Sequence, residues 1–285
     1  MRPTSSESPP SPEQATPSAR VTRSFEVDCR LAYTIDEPAH FLFQLHALDG
    51  MDQSVVSESL RITPTVPHHV FEDRRVGNRF LRLRAEPGPL SLRYKARVEV
   101  VRPVQARQRA RELSIDELPD EVLRYLMPTR YCESDLMGSA AQRIFGQHAP
   151  GWRRVKAISD WIHEHVDYRI GSTDATSTAR DVFVQRAGVC RDFAHLGVTF
   201  CRALNIPARL AVGYARFDKP PPDFHAVFEA YLDGGWQLFD PTRMSPVEDL
   251  VRIAVGRDAK DVAFATIFGA VTTRKIWPCV EGVEG

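Results

Sequence analysis

Paired cysteines are missing from this chain of 285 residues. Its five cysteines, Cys29, Cys132, Cys190, Cys201 and Cys279, are scattered, odd in number and free of any Cys-x-x-Cys spacing. That excludes a dense disulfide framework and favours reduced thiols. No run approaches the roughly 18 consecutive apolar residues of a membrane helix. The opening residues, Met1 to Ala19, are rich in Pro and Ser and lack the apolar centre of a signal peptide, so they read as a disordered tail. An excess of one charge is missing too: 37 Lys and Arg balance 37 Asp and Glu. A neutral chain has no global pull toward nucleic acid or an anionic membrane. The local run from Arg102 to Arg111 holds four arginines and reads as a solvated linker. There is no His-Glu-x-x-His, no acidic calcium loop and no glycine-rich nucleotide motif, so no metal or nucleotide cofactor is expected. Together these absences describe a cytoplasmic globular protein that binds neither nucleic acid nor membrane.

What is present is a change of pattern along the chain. From residue 22 to 103 the apolar residues alternate, most cleanly at Leu90, Leu92, Tyr94, Ala96, Val98 and Val100. Six or so strands with short turns predict an antiparallel β-sandwich domain. After a linker the spacing becomes helical. Helices are expected from Asp116, from Ser134, after Pro150, from Thr178 and from Cys190 to Leu204, the last ended by Asn205 and Pro207. Strands follow at Arg209–Tyr214, His225–Leu232 and Trp236–Asp240, the last two joined by a turn at Asp233-Gly234-Gly235. A final helix over Pro246–Ile253 and a strand over Val271–Cys279 close the chain. Helices followed by an antiparallel sheet make an α+β arrangement. The reading gives a tail (1–21), a β-domain (22–103) and a second domain (104–285).

Chemistry points to one thiol. Cys190 opens the best helix, where unpaired N–H groups and the helix dipole face a sulfur anion and could also receive the oxygen of a tetrahedral intermediate. Gly188 allows a tight approach into that helix and leaves room for substrate. Cys29 and Cys201 sit in apolar periodic positions and read as core, as does Cys279. A thiol nucleophile needs a group that holds its proton and later delivers it to the leaving group; imidazole suits both roles. His225 begins a strand 35 residues after Cys190, and Asp240 ends the next strand 15 residues later. Opposite His225, Asp240 would fix the imidazole tautomer. A two-residue turn at Gly234-Gly235 pairs Asp240 with Glu229, four residues from His225 and on the same face. That offset requires a bulge, a strong twist or early fraying to bring the two together. Asp192 and His195, on the same helix, could support the site, and the loop Lys219 to Phe224 could rim it.

These blocks resemble the bacterial transglutaminase-like cysteine enzymes, a branch of the papain-like fold. Gly188-Val189-Cys190-Arg191-Asp192-Phe193-Ala194-His195-Leu196 is similar to the nucleophile motif, and Asn205-Ile206-Pro207-Ala208-Arg209 to its following helix end. His225-Ala226-Val227-Phe228-Glu229 resembles the histidine strand, and Gly235-Trp236 through Asp240-Pro241-Thr242 the aspartate strand. Val227 departs from the aromatic common at its position. Gly77-Asn78-Arg79 and the region before Pro103 look like the β-domain that precedes this core in many bacterial members, and Gly256-Arg257-Asp258-Ala259 like its tail. The resemblance implies Cys190 as nucleophile, His225 as base and acid, and Asp240 as orienting residue. It implies acyl transfer on a peptide, protein or small amide substrate through a thioester, by peptidase, amidase or glutamine transglutaminase chemistry. Hydrolysis is favoured, because no feature identifies an amine-acceptor site. The alternative is a non-catalytic binding module on the same fold.

Overall fold

A computed structural model describes residues 20–50, 52–103, 106–217 and 222–283. The tail read at residues 1–19 and the start of the loop at Lys219 to Pro221 lie outside the described residues. The N-terminal region supplies β1 (Arg20–Ile35), β2 (Ala39–Phe43), β3 (Gln53–Thr63), β4 (His68–Glu72), β5 (Arg79–Ala85) and β6 (Gly88–Pro103). Helices α1 (Asp120–Leu123), α2 (Ser134–Phe145) and α3 (Trp152–His165) follow. Next come β7 (Asp167–Tyr168), α4 (Ala179–Gln185), β8 (Ala187–Gly188) and α5 (Cys190–Ala203). The chain ends with β9 (Ala208–Tyr214), β10 (His225–Leu232), β11 (Gly235–Phe239), β12 (Val251–Gly256), β13 (Ala265–Phe268) and β14 (Val271–Val283). Among the described residues no helix is long and apolar enough to cross a membrane.

Strand alternation explains the first half. The odd residues of β1 from Phe25 to Ile35 are buried and pack with Phe41 and Phe43 of β2. The Tyr33 ring lies 5.6 Å from Phe41 and 5.9 Å from Phe43. Two four-stranded sheets result, ordered β14-β1-β6-β3 and β13-β2-β5-β4. Both take a strand from the C-terminal end of the chain: β14 runs antiparallel to β1 from Ser24↔Val283 to Ile35↔Val271, and β13 pairs with β2. The boundary read after residue 103 therefore marks a change of pattern, not a clean division of the molecule. Pairing with β14 leaves neither edge of the long β1 strand open, and so removes a template for aggregation.

The third sheet, β11-β10-β9-β12, carries His225 at the start of β10 and leads into Asp240 just after β11, while Cys190 starts α5. The helix expected over Pro246–Ile253 is instead one short 3-10 turn at Val247–Asp249 followed by strand β12, whose six residues are all buried. A short run buried on every side, Arg252 included, carries no period that separates strand from helix, and pairing with β9 decides it. Helix α5 lies against β10, and the contact is close because residue 197 is glycine: a Cβ there would sit 2.5 Å from the Phe228 ring. Helices α2, α3 and α4 surround α5.

Buried polar groups fasten the third sheet to the sandwich. Glu229, fully buried on β10, accepts from Arg209 Nε at 2.5 Å and from Arg252 Nε at 2.8 Å. Arg252 also pairs with Asp52, which pairs with Arg102. Arg102, read from sequence as part of a solvated run, is thus buried against its ion partner, at 3% exposure. Asn78 of the Gly-Asn-Arg motif donates to the Val255 carbonyl and accepts from the Val255 N–H, both at 2.9 Å. Tyr214 donates to the Leu45 carbonyl at 2.5 Å.

Candidate active site

The N-terminus of α5 is held by its own third residue. Asp192 is buried, at 1% exposure, and its Oδ2 accepts from the Val189 N–H at 2.9 Å, a carboxylate placed where the helix dipole favours it. Arg191 grips the other oxygen through Nε at 3.0 Å and Nη2 at 2.8 Å, and donates to the Asp174 carbonyl at 2.9 Å. Asp192 therefore shapes the turn that presents Cys190. Gly188 serves the same turn: a Cβ there would lie 2.7 Å from the Asp192 Cβ, so the room it leaves is filled by Asp192 and not by substrate. Cys190 begins the helix and is partly exposed, while Cys29, Cys132 and Cys201 are buried. Burial pushes the Cys29 thiol up to about 12 and the Cys132 thiol up to about 11, which makes both inert at neutral pH.

His225 and Asp240 meet. His225 Nε2 lies 2.9 Å from Asp240 Oδ2, and both side chains are buried. The expected obstacle disappears with the true register of the hairpin. Leu232 pairs with Gly235, so the two-residue turn is Asp233-Gly234, with left-handed φ of 51° and 80°. These are the backbone angles of a tight type I′ hairpin. Compared with a Gly234-Gly235 turn, this register carries Asp240 opposite Val227 instead of Glu229, two residues from His225 and on its face. A diagonal neighbour at that offset is within side-chain reach without a bulge.

Thr242 completes the aspartate's fixation. Its backbone N–H and hydroxyl both donate to Asp240 Oδ1, at 2.9 and 2.7 Å. Oδ2 is thereby left to the imidazole. Burial alone would raise the Asp240 carboxyl, but the bonds and charge of His225 and the two Thr242 donors hold it below the usual carboxylate range. Burial likewise opposes charge on His225. The hydrogen bonds to Asp240 and to Cys190, with the charges of both, overcome that penalty and raise it from 6.5 to about 10. The Cys190 side chain thus interacts directly with the imidazole. Nε2 is engaged by Asp240, which leaves Nδ1 for the thiol. The Phe217 ring stands 5.6 Å from the imidazole and covers it.

One expected supporting group has other work. His195 is fully buried, accepts from the Ala259 N–H at 3.1 Å and stacks 5.3 Å from Tyr131. Burial lowers it to about 3, so it is a neutral anchor for the segment after β12, the segment that holds Gly256-Arg257-Asp258-Ala259. Val227 packs with Leu48, Leu238 and Leu250 in an apolar cluster, where a valine fills the space. One residue escaped the sequence reading. Tyr168, paired with Gly188 in the short parallel β7–β8 ladder, sits beside the thiol. Burial first, then the charge of Cys190, push its hydroxyl well up, while a hydrogen bond to the Cys190 backbone opposes them. A two-residue strand gives no periodic signal; only an isolated aromatic after Val166 hinted at it.

The arrangement has relatives. Residues 138–241 match the transglutaminase-like superfamily, and residues 23–121 match the bacterial transglutaminase N-terminal domain. A solved structure from Cytophaga hutchinsonii, described as a candidate cysteine protease, is 39% identical and superposes with a TM-score of 0.88, covering 94% of each chain. The chain belongs to the transglutaminase-like superfamily. The family and the solved neighbour support an enzyme of the general cysteine kind. It is also 35% identical over 156 residues to an uncharacterized protein of Mycobacterium leprae, covering 50% of this chain and 53% of that one. An uncharacterized protein of Mycobacterium tuberculosis is 29% identical over 167 residues, covering 54% and 50%. The chain spans about half the length of these curated relatives.

Proposed function

We propose that this transglutaminase-like protein transfers acyl groups from peptide or amide substrates through a thioester on Cys190. The observation that carries the reading is the His225–Asp240 contact at 2.9 Å, with His225 raised to about 10 by its bonds to Asp240 and Cys190. A cationic imidazole next to a thiol supports a reactive sulfur anion paired with a proton ready for delivery.

In the proposed cycle the Cys190 sulfur attacks the substrate carbonyl carbon, and the carbonyl electrons move onto oxygen. The Cys190 backbone N–H at the start of α5 and the Tyr168 hydroxyl beside it are the groups assigned in this proposal as donors to that oxygen. As the tetrahedral intermediate collapses, the C–N bond breaks and His225 Nδ1 gives its proton to the leaving amine. The neutral imidazole then takes a proton from water, or from a second amine, as it attacks the thioester; the acyl group leaves on that oxygen or nitrogen, and the sulfur departs as thiolate beside the imidazolium. Asp240 keeps Nε2 protonated throughout, so that Nδ1 is the nitrogen that exchanges protons.

Mass spectrometry of peptide libraries incubated with the enzyme, with and without an added primary amine, tests this reading. Products of hydrolysis alone support the amidase or peptidase form, and amine incorporation supports the transamidating form. No turnover of any amide, with Cys190 no more reactive than the other thiols, would favour a binding module on the same fold.

A further inference from the structure

Helix α3 lies beside the chain that carries Asp240, and three of its side chains meet that chain at alternate residues. The Trp152 ring stands 6.2 Å from Phe239, the residue before Asp240. His163 Nδ1 is 3.1 Å from the Pro241 carbonyl, which can only accept, so Nδ1 donates. Asp160 forms an ion pair with Arg243. Positions 152, 160 and 163 fall on one face of α3, because steps of three and four residues return to the same side of a helix.

The contact at Arg243 reaches furthest toward the imidazole. Arg243 has a left-handed backbone, φ 56°, which is uncommon for a residue with a side chain. That turn stands between Thr242 and Met244, and the Met244 N–H donates to Thr242 Oγ1 at 3.2 Å. The Arg243 N–H donates to the Asp240 carbonyl at 3.3 Å. Oγ1 accepts from Met244, and its single hydrogen goes to Asp240 Oδ1 at 2.7 Å. Oδ2 is then the oxygen that meets His225 Nε2. Contacts thus run from Asp160 on α3, through the turn at Arg243 and the Thr242 hydroxyl, to the imidazole. The Arg243–Asp160 pair is itself too exposed to add much stability, with the two side chains 47% and 32% exposed. An uncommon backbone retained for a pair that stabilises little points to a use at the site.

We propose that Arg243, anchored by Asp160, is a positioning residue: it holds the turn after β11 so that the Thr242 hydroxyl keeps Asp240 aimed at His225. The inference rests on the reading of Cys190, His225 and Asp240 as one site. Its test is Arg243→Gly, which accepts the left-handed backbone and loses the anchor. Water exchange of the His225 Nε2 proton is followed by NMR, and iodoacetamide alkylation of Cys190 at pH 6 by peptide mass spectrometry. The variant should speed exchange and slow alkylation about fivefold, the scale of one weakened hydrogen bond, with the urea midpoint little changed. Asp160→Ala should do the same, and Arg243→Lys should keep the unaltered behaviour. Added to Asp240→Asn, Arg243→Gly should cause no further loss, because its effect passes through Asp240. Unaltered proton exchange, or an equal loss of rate with and without Asp240, overturns the inference. If the proton responds as expected while Cys190 of the unaltered protein is alkylated no faster than Cys279, the positioning role stands and the acyl-transfer reading fails instead.

Discussion

Replacing Asp240 by Asn barely alters shape, yet it should disable the imidazole. Oδ1 is fixed by two Thr242 donors, the N–H at 2.9 Å and the hydroxyl at 2.7 Å. An Asn side chain that keeps both bonds must turn its NH2 toward His225 Nε2. Nε2 would then have to accept, the ring proton would move to Nδ1, and imidazolium would set two donors against each other. The rise of His225 from 6.5 to about 10 corresponds to about 5 kcal/mol in favour of the cation, net of burial. Assigning half of this to Asp240 gives about 2–3 kcal/mol, or on the order of a 10²-fold slower reaction at pH 6. Flipping the Asn side chain offers an escape, at the loss of two Thr242 bonds worth about 1 kcal/mol each. Thr242→Val removes one of them and, combined with Asp240→Asn, should restore roughly fivefold. The assay is iodoacetamide alkylation of Cys190 at pH 6, beside an NMR titration of His225. The folded His225 lies above its unfolded value, so its stabilising contribution is complete below pH 6.5 and is lost as the pH rises toward about 10. Asp240→Asn should flatten that slope in urea unfolding. An unchanged alkylation rate with His225 still titrating near 10 would refute the orienting role of Asp240.

Three further outcomes follow from the packing around the site. Glu229→Gln removes the buried anion that Arg209 and Arg252 share, leaving Asp52 on Arg252, and should cost about 3 kcal/mol at pH 7, measured as a lower urea midpoint. Although burial opposes ionisation, the two arginines hold Glu229 down from 4.5 to about 2; its contribution is present above pH 4.5 and fades as the pH falls toward 2, so the two proteins should converge in that window, and a pH-independent difference would contradict the ion network. Gly197→Ala forces a Cβ to within 2.5 Å of the Phe228 ring and should cost about 1–3 kcal/mol while slowing Cys190 alkylation; unchanged stability and rate would show that α5 does not need this close contact with β10. Tyr168→Phe should lower kcat for thioester formation roughly tenfold with KM unchanged, and a change confined to KM would remove Tyr168 from the oxyanion side of the mechanism.

The site was legible because its chemistry is local. Cys190 at a helix start and His225 and Asp240 at strand ends can each be read from a few neighbouring residues. The distance between the last two was not, since it depends on which residues form the turn. Asp233 adopts a left-handed backbone that glycine would have been expected to supply, and this one-residue difference shifts the pairing of Asp240 by two. The β-strands of the sandwich were equally plain from their alternation. Their completion by β13 and β14 was hidden, because a strand's pattern shows which face is buried and not which distant strand it joins. β12 was misread as helix because Val251 to Gly256 is buried on every side and so shows no period. The burial of Arg102 was hidden because its ion partner, Asp52, lies 50 residues away in the sequence.

Selective alkylation tests the central claim most directly. Iodoacetamide is applied near pH 6, and modification at each of the five cysteines is followed by peptide mass spectrometry in the unaltered protein and in His225→Ala. The account predicts rapid, stoichiometric modification of Cys190 ahead of the partly exposed Cys279, abolished by His225→Ala. Modification of Cys190 no faster than Cys279, or equally fast without His225, would contradict it.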